Sequence, residues 1–568
     1  MAAWFERVPE RLDYEIQALR DKGFTAKIDE AARNRGQLVM DVPCSINGTE
    51  HVLQVKFPGA YPYFPFQVFA PSLSLQRHQD PYSGQLCFVA RIETEWRTDD
   101  TVAMYLSEKL PEILKANDGD GPFDGERHEG APVTLYLPFE PESVVLIGDW
   151  TVTPDATKGS LTLATDREYE LRPFRAAVRE LKGERGNVLG ELDPRVSEPF
   201  KKVFSGRWVR LPTRPRSADL NSLLAQANQV WPATRTPNFQ GVDIDVTGIV
   251  FPDEVRYREL RDVWIFLLRR KAGRAPTLNR NQRGAPQQAL SLVRADRVGR
   301  SDLLARAPGL ARIAPRKAVI FGLGALGSMV AWQLARAGVG KLALIDYDFV
   351  NAATTPRWLL GVPSAGRFKA NVLAELFRQQ HPYLEVDPVV FRVGDAYFDR
   401  VAGDDRISRS LASADIIVDC TVEKTVQHYL SSIAWEQGIP YVWASATPGA
   451  WGGIVGRIHP DRSRGCWKCF RGHLTDGTIR EPQAEQGPDI QPDGCDVPTF
   501  RGAGFDLDEV AVMCVRLVVS TMCKGVGDGC GDFPWDVATV DLRQDGKPTP
   551  PKWTTYELQP HRDCDAHG

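Results

Sequence analysis

The sequence has no surplus of basic charge. Its 69 Lys and Arg residues stand against 73 Asp and Glu, a formal net charge of −4. Charge alone therefore holds neither nucleic acid nor an anionic membrane, and partners must be recognised at specific sites. A secretory signal is also lacking: the opening MAAWFERVPERL is charged from Glu6 onward. The expected location is a reducing cytoplasm, where the ten cysteines bind metal or do chemistry rather than form disulfides. One apolar run, AVIFGLGALGSMVAWQLA (Ala318–Ala335), has the length to raise a membrane question. Its clustered glycines, bracketed by Lys317 and Arg336, fit a buried strand, glycine turn and helix better.

What is present is a globular composition, 43% apolar and 25% charged, over 568 residues. That is too long for one core and predicts three or four domains. Residues 1–118 read as helix, antiparallel meander, irregular cysteine loop and helix, an α+β order. ERVPERLDYEIQALRDKG is helical and stops at Gly23. GQLVMDVPCSI and TEHVLQVKFPG are strand-like. The prolines of YPYFPFQVFAPSL mark bends and edges, and TDDTVAMYLSEKLPEILKAND is a helix capped by Thr98 or Asp99. Residues 119–132 are a linker by composition. Residues 133–308 predict one α+β connecting module, with VTLYLPF and SVVLIGDW as strands, DEVRYRELRDVWIFLLRRKAG as a helix and GRAPTLNRNQRGAPQQ as a loop. No repeat or catalytic signature is visible there. Residues 309–568 alternate strand and helix, which predicts a doubly wound parallel sheet of Rossmann type.

Gly322, Gly324 and Gly327 form GxGxxG between a predicted strand and a predicted helix. Glycines let the turn close and let phosphate approach the backbone amides at the helix N-terminus. Asp346 ends the next strand, where a carboxylate accepts from ribose hydroxyls. DYDFVNAATTPRW then adds Asp348 and Arg357, and GRFKANVLAEL adds Lys369. Hydride transfer has no evident need for an Arg and a Lys beyond the ribose acid, whereas a triphosphate does.

With these residues in place, the segment from Arg316 onward resembles the adenylating domain of ubiquitin-activating enzymes and their sulfur-carrier relatives, the ThiF/MoeB family. The resemblance implies ATP and Mg2+ as cofactors and adenylation of a protein's C-terminal glycine. It implies that Asp346 holds ribose and that Arg357 and Lys369 hold phosphates. Two positions depart from the family pattern. Thr354 stands where Asn is usual, and DCTVE keeps Asp419 but has Val422 for a later, Mg-binding Asp, followed by Glu423. Metal binding then falls to Glu423 or Asp419, or the activity is altered.

Cys466 and Cys469 form a CxxC pair, and Cys564 and His567 a CxxH pair near the last residue. Two such pairs suit a tetrahedral structural zinc (Zn2+). Cys495 lies in a polar, glycine-flanked loop before a long apolar helix, where small activating enzymes place their catalytic thiol. A helix start lowers a thiol's pKa. Cys514 reads as core, and Cys523 and Cys530 stay open, either being an alternative zinc ligand.

An activating domain makes a thioester and needs an acceptor thiol. In SGQLCFVARIETEW, Cys87 follows a glycine turn and Trp96 comes nine residues later. Together with VLQVKFPGAYPYFPFQVFAPSL, this stretch resembles the ubiquitin-conjugating family over residues 1–118, which implies Cys87 as a nucleophile. The family's His-Pro-Asn is replaced here by His78, Gln79 and Asp80. An Asp carboxylate repels an oxyanion but orients or deprotonates an amine, and His78 has a structural role by resemblance.

Conjugating and activating domains in this order resemble the fusion proteins of bacterial antiphage operons, notably CBASS. The implied partners are a cGAS-like nucleotidyltransferase whose C-terminus is activated, a target amine, and a second copy of the chain through the adenylating domain. Two alternatives remain beside this relay: activation of a dedicated ubiquitin-like modifier, and a nucleotide-sensing binding protein with a degenerate conjugating fold. A dehydrogenase is a third.

Overall fold

The computed structural model describes residues 3–89, 92–118, 132–166, 173–232, 238–239, 242–256, 259–271, 288–394, 403–487, 490, 499–523 and 531–566. The chain forms two compact units, Met1–Val298 and Gly299–Gly568. Among the described residues no helix is long and apolar enough to cross a membrane.

The first unit opens with helices Trp4–Arg7 and Pro9–Asp21, and Gly23 leaves the second helix with a φ of +81°. A five-stranded antiparallel meander follows: Lys27–Ile28, Leu38–Ile46, Thr49–Phe57, Gln67–Phe69 and Gln85–Leu86. Trp4, Tyr61, Phe66, Trp96 and Tyr105 fill one buried cluster between this sheet and the helices. Glu15 is fully buried there, accepting from Arg11 Nη2 at 2.6 Å, from the Val102 amide at 3.0 Å and from the Tyr61 hydroxyl. A buried carboxylate persists when paired in this way, and this one ties the early helix to the late one.

The late helix runs from Val102 to Asp118, with a π-helical segment at Tyr105–Lys109. Its cap is Thr101, whose Oγ1 accepts from the Met104 amide at 3.2 Å, rather than Thr98 or Asp99. The carbonyls of Thr98 and Asp100 accept from Arg11 instead, at 2.8 and 2.6 Å, and this delays the helix start. Of the predicted linker 119–132, all but Pro132 lies outside the described residues.

The middle of the chain departs from its sequence reading. Its sheet closes on itself: Lys202–Arg210, Lys158–Thr165, Arg175–Lys182, Phe139–Ile147, Gln288–Arg297, Glu259–Lys271 and Val242–Arg256 pair in that order. The last strand pairs back, in parallel, with the first. Of the predicted helix DEVRYRELRDVWIFLLRRKAG, residues 253–256 and 259–271 belong to two antiparallel strands instead. Trp264, Phe266 and Leu268 pack in one cluster, and Ile265 and Leu267 pack on the opposite face with helix Leu220–Val230. A strand buried on both faces loses the alternation that marks strands in a sequence. VTLYLPF is likewise no strand: Val133–Tyr136 is a 3₁₀ turn, and the strand begins at Phe139. The loop predicted in GRAPTLNRNQRGAPQQ lies outside the described residues except at Gln288.

The second unit is the predicted doubly wound sheet. Its strands are β1 (Lys317–Phe321), β2 (Lys341–Ile345), β3 (Glu385–Val389), β4 (Ile416–Asp419), β5 (Tyr441–Ala446), β6 (Gly452–Ile458), β7 (Val537–Gln544) and β8 (Lys547–Tyr556). The spatial order is β3-β2-β1-β4-β5-β6-β7-β8. It is parallel as far as β5 and antiparallel beyond. The helices are α1 (Ala325–Arg336), α2 (Lys369–Gln380), α3 (Gly403–Ala412), α4 (Lys424–Gln437), α5 (Trp467–Thr475) and α6 (Gly504–Met522). Ala318 and Ile320 face α1, α2 and α6, while Val319 and Phe321 face the other layer with α4 and α5. The predicted core residue Cys514 is fully buried on α6.

Each glycine of the β1–α1 turn answers a different requirement. Gly322 has a φ of +79°, and a Cβ there would lie 2.7 Å from Thr421 N. A Cβ at Gly327 would stand 1.8 Å from the Gly322 carbonyl oxygen, whereas one at Gly324 would meet nothing within 4 Å. Gly322→Ala is expected to lower stability by about 1–3 kcal/mol or more. Gly324→Ala is expected to cost less than about 1 kcal/mol, and urea midpoints of the two variants check the difference.

Candidate functional site

The parallel strands reverse their order across β1, with β2 on one side and β4 on the other. A crevice opens at the carboxyl ends of strands at such a point. Here it is a cavity of about 290 Å³, and Gly322, Gly324, Asp346, Arg357, Lys369 and Thr421 are among its lining residues. The Gly322 amide donates to the Ile345 carbonyl at 3.0 Å, and the Cys420 amide to the Phe321 carbonyl at 2.8 Å, so the glycine turn is held to both neighbouring strand ends. Gly324 caps α1. The open space beside it sits where backbone amides and helix dipole favour an anion.

Asp346 is buried and receives the Leu323 amide at 2.6 Å and the Asp348 amide at 2.7 Å. Burial pushes its carboxyl up, and Lys369 opposes that shift. Lys369, the first residue of α2, reaches Asp348 Oδ2 at 2.5 Å. Arg357 donates to the Phe500 carbonyl at 2.7 Å and to Thr499 Oγ1 at 2.6 Å. Burial pulls its guanidinium down. Thr354, at the position where the resemblance implies Asn, also lines the cavity.

Asp419 is differently placed. It is fully buried at the end of β4. Its Oδ1 accepts from the Thr421 amide at 2.9 Å and the Thr421 hydroxyl at 2.7 Å, and its Oδ2 from the Tyr441 hydroxyl at 2.9 Å. Glu423 lines the cavity four residues on, after Val422 at a φ of +63°. The carboxylate turned to the cavity on this side is therefore Glu423, and Asp419 shapes the turn that presents it.

Sequence reasoning missed Tyr347 and Arg392, both of which line the cavity. The Arg392 guanidinium lies 4.9 Å from the centre of the Tyr347 ring. Tyr347 stands between two motif acids and was within reach of the motif argument. Arg392 carries no motif; the parallel register of Ile345 with Val389 brings the residues after β3 beside those after β2.

In the first unit Cys87 is exposed. Its amide donates to the His78 carbonyl at 2.8 Å, and Asp80 and Gln85 pair similarly at 2.8 Å, so Cys87 stands across a tight turn from His78. The turn requires Gly84, with a φ of +75° and a would-be Cβ 2.9 Å from Pro71 Cα. Asp80 accepts from the Tyr82 amide at 2.9 Å and from the Ser83 hydroxyl. Gln79, at the position where the resemblance implies Pro, has a buried amide that donates to the Ala70 and Leu73 carbonyls, each at 2.9 Å. The middle of the chain holds this loop: Arg77 pairs with Glu254 of the closed sheet at 2.5 Å, and the Tyr82 hydroxyl donates to the Pro215 carbonyl, beyond the sheet's strand Lys202–Arg210, at 3.2 Å. Tyr136 is within electrostatic reach of both groups, and its phenol is pushed up by burial, then by the charges of Cys87 and Asp80. Cys495 lies outside the described residues.

Cys466, Cys469 and Cys564 bring their sulfurs together, with Cys466 3.8 Å from Cys469 and 3.6 Å from Cys564. Two sulfurs about 2.3 Å from one tetrahedral zinc stand about 3.8 Å apart, so the three residues fit the ion. Burial pushes the Cys466 thiol up to about 11, and a bound cation would offset that cost. His567 lies outside the described residues, as does Cys530. Cys523 is buried in the same core cluster as Cys514, a different cluster from that of the three sulfurs.

A parallel sheet with a glycine-turn cavity, two acids after β2 and a cation opening the next helix defines a nucleotide-binding α/β domain. Residues 300–524 match the ThiF family, and the second unit carries a ThiF/MoeB-type adenylyltransferase domain. Part of it is 29% identical to the sulfur carrier protein ThiS adenylyltransferase of Escherichia coli over 164 residues, 28% of this chain and 61% of that protein. The similarity to two proteins of Sinorhizobium fredii runs through both units. The uncharacterized protein y4oA is 30% identical over 593 residues, 99% of this chain and 97% of that protein. The uncharacterized protein y4qC is 28% identical over 583 residues, 97% and 95% of the two chains. The chain belongs to the family of y4oA.

Burial raises the Asp419 carboxyl from an ordinary 3.8 to about 6. The folded state then holds a proton that the unfolded state has released, so this group's contribution falls as pH rises from about 4 to about 6 and is constant above. Asp419→Asn is expected to remove that loss, on the order of 2–3 kcal/mol. Urea unfolding of both proteins at several pH values measures it.

Proposed function

We propose that the chain activates a protein C-terminal carboxylate with ATP, carries the acyl group on cysteine thiols and joins it to an amine. The observation that carries this reading is the exposed Cys87 thiol, presented on a braced turn in a chain that also holds a ThiF family domain. In the cavity, Asp346 holds the ribose, and Arg357 and Lys369 hold phosphate oxygens beside Gly324. The substrate carboxylate attacks the α-phosphorus, and the bond to the bridging oxygen breaks with loss of pyrophosphate. Glu423 and Asp348 would hold Mg2+, which supplies charge neutralisation of the phosphates.

The Cys495 thiolate then attacks the acyl carbon and AMP leaves. The Cys87 thiolate takes the acyl group from Cys495, and an amine attacks the Cys87 thioester, forming the amide and releasing the thiolate. Asp80 orients the amine and accepts its proton. Tyr136 supplies a hydroxyl within electrostatic reach of Cys87, and His78 fixes the loop through its carbonyl. Cys466, Cys469 and Cys564, completed by His567, would hold a structural zinc.

The protein partner is a C-terminal carboxylate of the kind presented by a cGAS-like nucleotidyltransferase or a ubiquitin-like modifier, and the role is antiphage defence of the CBASS type. The adenylating domain pairs with a second copy. This reading rests on the order of the two domains in one chain and on the resemblance of each.

Cys87→Ser replaces a thioester by a slower-hydrolysing oxyester. Purified from its native host, this variant is expected to carry an added mass in reducing, denaturing mass spectrometry, lost on adding Cys495→Ala or Lys369→Ala. An unmodified Cys87→Ser chain after incubation with ATP–Mg and candidate cargo would contradict the relay.

A further inference from the structure

Helix α5 and the C-terminal stretch meet at two clusters of metal-binding side chains. One is the three-sulfur cluster. The other lies one helical turn further along α5, where His473, Asp476 and His561 place one ligand atom each within 4.8 Å of one another. We propose that these three residues form a second metal site, separate from the sulfur cluster and suited to a divalent cation of the zinc class.

The donor arrangement carries the assignment. His473 Nε2 stands 2.9 Å from the Gln559 carbonyl oxygen. An N–H there fixes the tautomer and leaves the Nδ1 lone pair open. That Nδ1 is buried and has no hydrogen-bond partner among the described residues. A metal-bound histidine commonly donates its other nitrogen to a carbonyl in this way. His561 Nε2 lies 3.2 Å from Asp476 Oδ2; its Nδ1 now accepts from the Asp563 amide at 3.2 Å, so a cation at Nε2 would shift the ring proton to Nδ1, which faces Asp563 Oδ2 at 3.8 Å. Asp476 Oδ1 accepts from the Thr478 amide at 2.9 Å, which orients the carboxylate.

The ring geometry agrees. The His473 and His561 rings are 4.9 Å apart between centroids, with an interplanar angle of 80°. Two imidazoles on one tetrahedral ion, about 2.0–2.1 Å from nitrogen to metal, hold their ring centres about 5 Å apart. The backbone makes room for this ring: a Cβ at Gly472 would lie 2.5 Å from His561 Cγ. Two imidazoles and one carboxylate suit zinc, cobalt or nickel and disfavour magnesium and calcium. Three protein ligands leave a position for water. The site would clamp the C-terminal stretch to α5 independently of Cys564.

The test is a metal count on the full chain. The protein is stripped with chelator under reducing conditions, reloaded with Co2+ and desalted, and bound cobalt is measured by mass spectrometry alongside the thiolate-to-cobalt absorption band. The wild type is expected to retain one more ion than His473→Gln or Asp476→Asn, with the thiolate band unchanged in both variants. Cys466→Ser with Cys469→Ser is expected to remove the band and keep the second ion. Asp476 is exposed, so Asp476→Asn decides the matter if His473→Gln fails to fold. Equal cobalt in wild type and Asp476→Asn would overturn the proposal.

Discussion

The second unit is organised by a close approach that only glycine allows. The carbonyl of Gly322 stands 1.8 Å from where a Cβ of residue 327 would be, and residue 322 itself abuts the backbone of Thr421. With no side chain at either place, α1 starts directly over the end of β1. The turn is then fixed from both sides, by Ile345 and Phe321 through their carbonyls. Its second residue, Leu323, donates its amide to Asp346 and accepts at its carbonyl from the Trp358 indole at 2.8 Å. The acid, the arginine segment and the open space at Gly324 thus take their positions from one turn.

Other contacts extend this constraint to the rest of the unit. Arg357 bonds to residues 499 and 500, so the start of α6 is referred to the cavity wall. Helix α6 packs along α1, and Cys514 on α6 is buried in the same cluster as Cys420 at the floor of the turn. At the other end of the unit, α5 and the C-terminal stretch are joined by sulfur and imidazole side chains. In the first unit the closed sheet has a parallel task. The middle of the chain braces the Cys87 turn, through Glu254 on Arg77 and the Pro215 carbonyl on Tyr82, contacts that its sequence did not advertise.

Legibility followed local spacing. The β1–α1–β2 unit could be read because GxGxxG, the acid after β2 and the Arg and Lys are close in sequence, and each has a chemical reason for its residue type. The meander of residues 38–57 could be read because its strands alternate on one buried face. The paired strands 242–256 and 259–271 could not, since Trp264, Phe266 and Leu268 bury one side while Ile265 and Leu267 bury the other. Arg392 and Tyr136 enter their sites through register and tertiary packing, which no local pattern encodes. His473, Asp476 and His561 were hidden for the same reason, being split between a helix end and a distant segment. Asp419 shows the reverse case. Its position after a strand marked it as a ligand, yet Thr421 and Tyr441 occupy its oxygens.

The central claim is that this cavity holds a nucleoside triphosphate rather than a dinucleotide. Equilibrium binding of labelled ATP–Mg and labelled NAD to the purified full chain tests it most directly. The account predicts that ATP–Mg binds, that NAD competes poorly, and that Lys369→Ala weakens ATP roughly tenfold or more through loss of a charged phosphate contact. NAD binding tighter than ATP–Mg, with Lys369→Ala affecting neither, would contradict it.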